Sequence, residues 1–120
     1  MIRVPRETNT FETEHGAVEI TLYDILWAEG SCEGTERPTR LHLADRVVTC
    51  RKPLEELLPV LGDSFLFCLT CGVVNQLRIR SFGEKKIVMD NGEEVEISPF
   101  LSERFRDKYC GELARRVWED

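Results

Sequence analysis

A small, mostly β domain is what this sequence predicts, on three observations. Apolar and polar residues alternate in several separate stretches, the period of a strand with one buried face. Asn91-Gly92 sits between two such stretches, a strong hairpin signal. Apolar spacing of the helical kind occurs in only two places. With 120 residues, 42% of them apolar and 32% charged, the chain can build one modest core, so residues 1–120 read as a single globular domain.

The elements follow in order. Val18, Ile20 and Leu22 alternate with Glu19 and Thr21 in a first strand. Leu41 and Leu43 flank His42, and Asp45-Arg46 leads into Val47, Val48 and Cys50, so this pair reads as a hairpin. Phe65, Phe67, Leu69 and Cys71 are expected to line one face of a further strand, and Leu77 and Ile79 alternate with Arg78 and Arg80. Lys86–Met89 and Glu94–Ile97 flank Asn91-Gly92, which supplies the positive φ angles of a tight turn. A short helix is predicted near 53–61. Pro53 suits its first turn, where a missing N–H is harmless, and Leu54, Leu57, Leu58 and Leu61 share one face. Pro59 and Gly62 keep it short. A C-terminal helix is predicted near 99–117, with Ser98 as its cap and Leu101, Phe105, Tyr109, Leu113 and Val117 at every fourth position. Gly111 weakens its middle. The polar stretch Gly30 to Arg40 reads as an exposed loop, the kind of segment that often carries function.

Sixteen basic against 22 acidic residues give a net charge of −6. Phosphate contacts supply most non-specific affinity for nucleic acid, so this total argues against such a partner unless charge is segregated by face. No apolar run approaches the ~18 residues that span a bilayer, and residues 1–10 lack a signal peptide's apolar stretch. A cytoplasmic protein with no membrane partner is expected. The five cysteines are odd in number and nothing indicates secretion, so no disulfide framework is expected. Cys68 and Cys71 have metal-site spacing but no second close pair, and an offset of three along a strand points them to opposite faces. The cysteines read as small buried hydrophobes, with no metal and no cofactor.

Catalytic chemistry is hard to find. His15 and His42 stand in no metal-spaced or nucleophile motif, and no phosphate-cradling glycine loop occurs. Glu55-Glu56 and Glu93-Glu94 read as solvated faces, and His42 as filling a partly polar strand face. The expectation is that the protein is not an enzyme.

The ordered pieces resemble those of LytTR domains, the mostly β DNA-binding modules of many bacterial response regulators. The matching pieces are Leu22-Tyr23-Asp24-Ile25-Leu26-Trp27-Ala28-Glu29, the Leu41–Arg51 hairpin, Lys52-Pro53-Leu54-Glu55-Glu56-Leu57-Leu58, Phe65 through Asn75, Ile79, the Asn91-Gly92 hairpin and Ile97-Ser98. They cover about residues 18–105, leaving a C-terminal helical extension. The resemblance implies an elongated arrangement of small antiparallel sheets, ten strands in all, whose loops enter successive major grooves. It further implies a sequence-specific DNA-binding transcriptional regulator that reads a promoter repeat in double-stranded DNA, as a dimer or beside a partner regulator.

The chain departs from the family pattern where DNA is usually contacted. Leu69 and Thr70 stand where a histidine and a basic or amide residue are usual, and Cys71 and Gly72 where a serine and an aromatic follow. Pro99 and Phe100 replace the usual arginines, while Val74-Asn75 is kept as a structural pair. Carried over by position, Arg37 and Arg40 of the polar loop are expected near base edges together with Thr70, and Phe100 offers an apolar contact. Arg78, Lys85 and Lys86 are expected on phosphates. The alternative is a degenerate LytTR-like domain that works through protein–protein interaction without DNA binding, using an apolar patch of Leu69 and Phe100.

Overall fold

Ten strands and two helices form where the alternation and the leucine spacing place most of them, in a computed structural model that describes residues 6–31, 34 and 37–109. The strands are β1 (Thr8–Thr13), β2 (Gly16–Thr21), β3 (Ile25–Gly30), β4 (Thr39–Leu43), β5 (Val47–Cys50), β6 (Phe65–Leu69), β7 (Gly72–Asn75), β8 (Ile79–Phe82), β9 (Lys86–Met89) and β10 (Glu94–Glu96). Helix α1 is Leu54–Leu61, and residues 102–109 form a second helix, α2. Seven strands make one sheet in the order β2-β1-β5-β4-β3-β7-β6, and three make another in the order β10-β9-β8. Every pairing is antiparallel.

The large sheet separates two cores. On one face, Phe11, Ile20, Ile25, Ala28, Leu41 and Val73 meet Leu54, Leu57 and Leu61 of α1. On the other, Leu26, Leu66, Cys68 and Val74 meet Ile79, Ile87, Met89 and Val95 of the small sheet and Phe105 and Tyr109 of α2. Val73 and Val74 therefore face opposite cores, as strand alternation requires. Asn75 is fully buried between them. Its Nδ2 donates to the Ile25 carbonyl at 3.1 Å, and its Oδ1 accepts from the Leu77 N–H at 3.1 Å.

Several local expectations change. Strand β1 has no clear apolar alternation, because only Phe11 and Thr13 of its six residues turn inward; it forms by pairing along its full length with β2. The β1–β2 hairpin joins the rest of the large sheet through a single paired rung, Thr13 with Cys50. The polar loop is shorter than Gly30–Arg40, since β3 runs to Gly30 and β4 starts at Thr39; Arg40 is a strand residue. Arg78 belongs to a 3-10 turn (Gln76–Arg78), not to a strand face shared with Arg80. Helix α2 starts at residue 102, because Ser98–Leu101 form a turn closed by the Leu101 N–H on the Ser98 carbonyl (2.9 Å). Its expected continuation to 117 lies outside the described residues.

The Asn91-Gly92 hairpin forms with only Gly92 at positive φ (+91°), so Asn91 stays in an ordinary conformation. Gly92 N–H donates to Met89 C=O at 2.9 Å and Met89 N–H to Glu93 C=O at 2.8 Å, a three-residue loop with glycine at its left-handed position. The thiols of Cys50 and Cys68 are free and buried as expected. Cys71 corrects the expectation that all the cysteines are reduced and buried: it is disulfide-bonded, with its partner outside the described residues. It lies in the half-buried β6–β7 turn, not in a strand, so the argument from opposite strand faces does not reach it.

Candidate nucleic-acid interface

Three backbone hydrogen bonds gather four segments at one end of the molecule. Gly30 N–H donates to the Cys71 carbonyl at 2.7 Å, setting the start of the polar loop beside the β6–β7 turn. Ser98 N–H donates to the Cys68 carbonyl at 2.7 Å, setting the Ser98–Leu101 turn on the other side of β6. Ile97 N–H donates to the Lys85 carbonyl at 3.0 Å, adding the β8–β9 turn. The polar loop, Thr70, Lys85 and Phe100 thus share one end, although they lie up to 70 positions apart in sequence.

Within this end the side chains differ in availability. Phe100 is 95% exposed, and Thr70 is exposed at the tip of its turn. Leu69 is half-buried against the second core. Gly72 explains that inward turn: a Cβ there would meet the Leu69 Cβ at 3.1 Å, so Leu69 occupies the space a side chain at 72 would need. The expected apolar pair of Leu69 and Phe100 therefore contracts to Phe100.

Arg37 ion-pairs with Glu55 on α1, the longer of its two hydrogen bonds being 3.4 Å. It borders a small groove of about 80 Å³ with Leu58, Phe67, Thr70 and Cys71. Arg40, exposed on the opposite face of the large sheet, ion-pairs with Glu29 across the β3–β4 ladder. Glu29 also hydrogen-bonds His42 Nε2 at 2.7 Å, and the His42 ring stacks on Trp27 at 3.9 Å between centroids. Lys86 pairs with Glu94 at 3.2 Å. Lys85 is exposed and has no ion-pair partner among the described residues.

Arg78 is placed apart from the others. It stands after β7, at the end of that strand opposite the Thr70 turn. Its Nε and Nη2 bind Asp90, its Nη1 donates to the Tyr23 carbonyl at 2.9 Å, and its guanidinium lies 4.7 Å from the Tyr23 ring centre. Burial works against its charge, but the Asp90 hydrogen bond and charge outweigh it and raise its pKa. Those contacts tie the 3-10 turns and the β9–β10 hairpin together.

Two features escaped the alternation argument. Phe67 is 44% exposed although it follows Phe65 in regular register on the edge strand β6; the register shift comes after it, between Phe67 and Leu69, and turns Leu69 towards the second core. Arg104 and Lys108, visible in the sequence only as an i, i+4 pair, line a groove between α2 and β6 with Phe67 and Thr70. No group of three or more metal-ligating side chains occurs among the described residues.

No protein-family model matches the chain, and no curated protein matches it. Among solved structures, it is similar to a LytTr DNA-binding domain from Bacillus cereus, with a TM-score of 0.69 and 24% identity over 87% of this chain and 96% of that one. The resemblance read from the sequence agrees with that comparison: this chain has the LytTR fold.

Proposed function

We propose that the domain binds double-stranded DNA and regulates transcription as a sequence-specific LytTR-type regulator in the bacterial cytoplasm, as a dimer or beside a partner regulator. One observation carries the reading: in a fold whose solved relative is a DNA-binding domain, the polar loop, Thr70, Lys85 and Phe100 are laced together at one exposed end. Thr70 offers a hydroxyl to a base edge, and Phe100 an apolar contact of the kind a thymine methyl accepts. Lys85 is the cation ready for a phosphate. Arg37 and Arg40, expected from the sequence near base edges, are assigned to phosphates here, which they reach by exchanging Glu55 and Glu29, since exposed ion pairs are worth only about 0–1 kcal/mol. Lys86 can leave Glu94 on the same terms. Arg78 serves the scaffold, and no catalytic role is assigned to any residue.

Fluorescence anisotropy against pooled random duplex at low salt, followed by selection of the retained sequences, tests this reading. Binding at roughly tens of micromolar or tighter is expected. A wild-type chain that binds no duplex in that range removes the proposal. The protein-binding alternative keeps one observation in its favour, the near-complete exposure of Phe100. It predicts that Phe100→Ser abolishes binding of a protein partner with no duplex binding to lose.

A further inference from the structure

We infer that the groove between β6 and α2 is a docking site for an acidic, apolar peptide segment of a partner protein. The groove holds about 220 Å³ and is lined by Phe65, Leu66, Phe67, Thr70, Leu101, Arg104, Phe105 and Lys108. Its floor is apolar, and Phe67 stands in it 44% exposed, one of only four exposed large hydrophobics among the described residues. Isolated apolar residues on a surface are ordinary, but one set in a concave, aromatic-lined groove marks a place for an apolar side chain.

Charge selects the occupant. Among the described residues, no acidic side chain lines this groove. Both charged lining residues are cations, Arg104 and Lys108, one helical turn apart on the exposed rim of α2 and without ion-pair partners among the described residues. The acidic residues of α2, Glu103 and Asp107, are exposed and outside the lining. A peptide that presents carboxylates to this rim and an aromatic or aliphatic side chain to Phe67 satisfies both features. A phosphate backbone satisfies only the rim, because it brings nothing apolar to the floor. The groove opens beside Thr70, so a docked partner sits next to the end assigned above to DNA, but the inference stands without that assignment.

The test uses the full chain and a fluorescein-labelled peptide of roughly a dozen residues in which Asp and Glu alternate with Phe and Leu. A polyglutamate peptide of equal charge is the control. Anisotropy should show the mixed peptide binding at least about tenfold more tightly than polyglutamate. Phe67→Ser and the double variant Arg104→Glu/Lys108→Glu, each checked for fold by circular dichroism, should each weaken it by about tenfold or more. Amide shifts should map to Phe67, Thr70, Leu101, Arg104 and Lys108. Equal affinity for polyglutamate, or variants that bind as well as wild type, overturns the proposal. So does concentration-dependent dimerisation abolished by Phe67→Ser, which gives the groove to a second copy. Shifts in residues 110–120 caused by Phe67→Ser, with no peptide affinity, give it to the chain's own C-terminal residues and overturn it too. Duplex DNA that binds only through Arg104 and Lys108 and displaces the peptide reassigns the groove to phosphate.

Discussion

Asn75 illustrates how one side chain fixes the relation between neighbouring elements. Both of its hydrogen bonds are to backbone groups that have no water to turn to, and a buried group left unpaired costs about 1–3 kcal/mol. Asn75→Ala should therefore lower stability in urea unfolding by about 3 kcal/mol, the sum of two such losses less the removed amide's own demands. The buried thiols carry a pH signature. Burial raises Cys50 to about 11 and Cys68 to about 12, against 9.0 for a free thiol. The unfolded chain gives up these protons first, so stability is full below pH 9 and falls as pH rises towards the folded values. Between pH 8 and 10 each thiol should remove roughly 1 kcal/mol, and Cys68→Ala should flatten the decline. Unfolding midpoints that do not move over that interval would contradict this.

Among the elements, α1 was the easiest to read and β6 the hardest. The leucines of α1 face the first core as their spacing requires, and Gly62 (φ +87°) ends the helix with its N–H on the Leu58 carbonyl at 3.1 Å. Leu57→Ala should cost about 2–5 kcal/mol in thermal or urea unfolding, the usual range for a buried leucine whose cavity cannot collapse. In β6 the alternation of Phe65, Phe67 and Leu69 suggested a single face, yet Phe65 is buried, Phe67 is exposed and Leu69 is half-buried. The sequence holds no sign of the register shift that turns Leu69 to the other core, where it packs back over Gly72, nor of the place of β6 at the sheet edge. The Asn91-Gly92 turn, by contrast, was legible in place though not in detail. Its glycine alone takes the left-handed conformation, because the loop is closed over three residues.

At the scale of the whole molecule, charge is distributed by pairing. Arg37, Arg40, Arg78 and Lys86 each face a carboxylate, whereas Lys85, Arg104 and Lys108, and Arg51 and Lys52 beside Thr39, have no ion-pair partner among the described residues. DNA affinity carried by Arg37, Arg40 and Lys85 should fall with salt with a log–log slope of about −3, near −0.9 for each phosphate neutralised. Lys85→Ala should reduce that slope by about one, measured by anisotropy at several salt concentrations. Arg78→Ala should leave it unchanged and instead lower stability by about 2 kcal/mol, because charged hydrogen bonds to Asp90 and Tyr23 are lost. An Arg78→Ala chain of native stability with a reduced salt slope would place Arg78 on the DNA.

The sequence by itself determined the class of fold, most of the strands and the first helix, because strand and helix periods depend on which neighbouring residues are apolar. It also singled out Thr70 and Phe100 through the resemblance to LytTR domains, but in a strand and a helix, where the structure has exposed turns. Only the tertiary structure decided which cations are free, since an ion pair such as Arg37–Glu55 or Arg78–Asp90 joins residues that no local pattern relates. It likewise brought Phe67, Arg104 and Lys108 to one groove. Those three come from a strand and a helix whose packing is fixed by the second core, and that core exists only once the chain has folded.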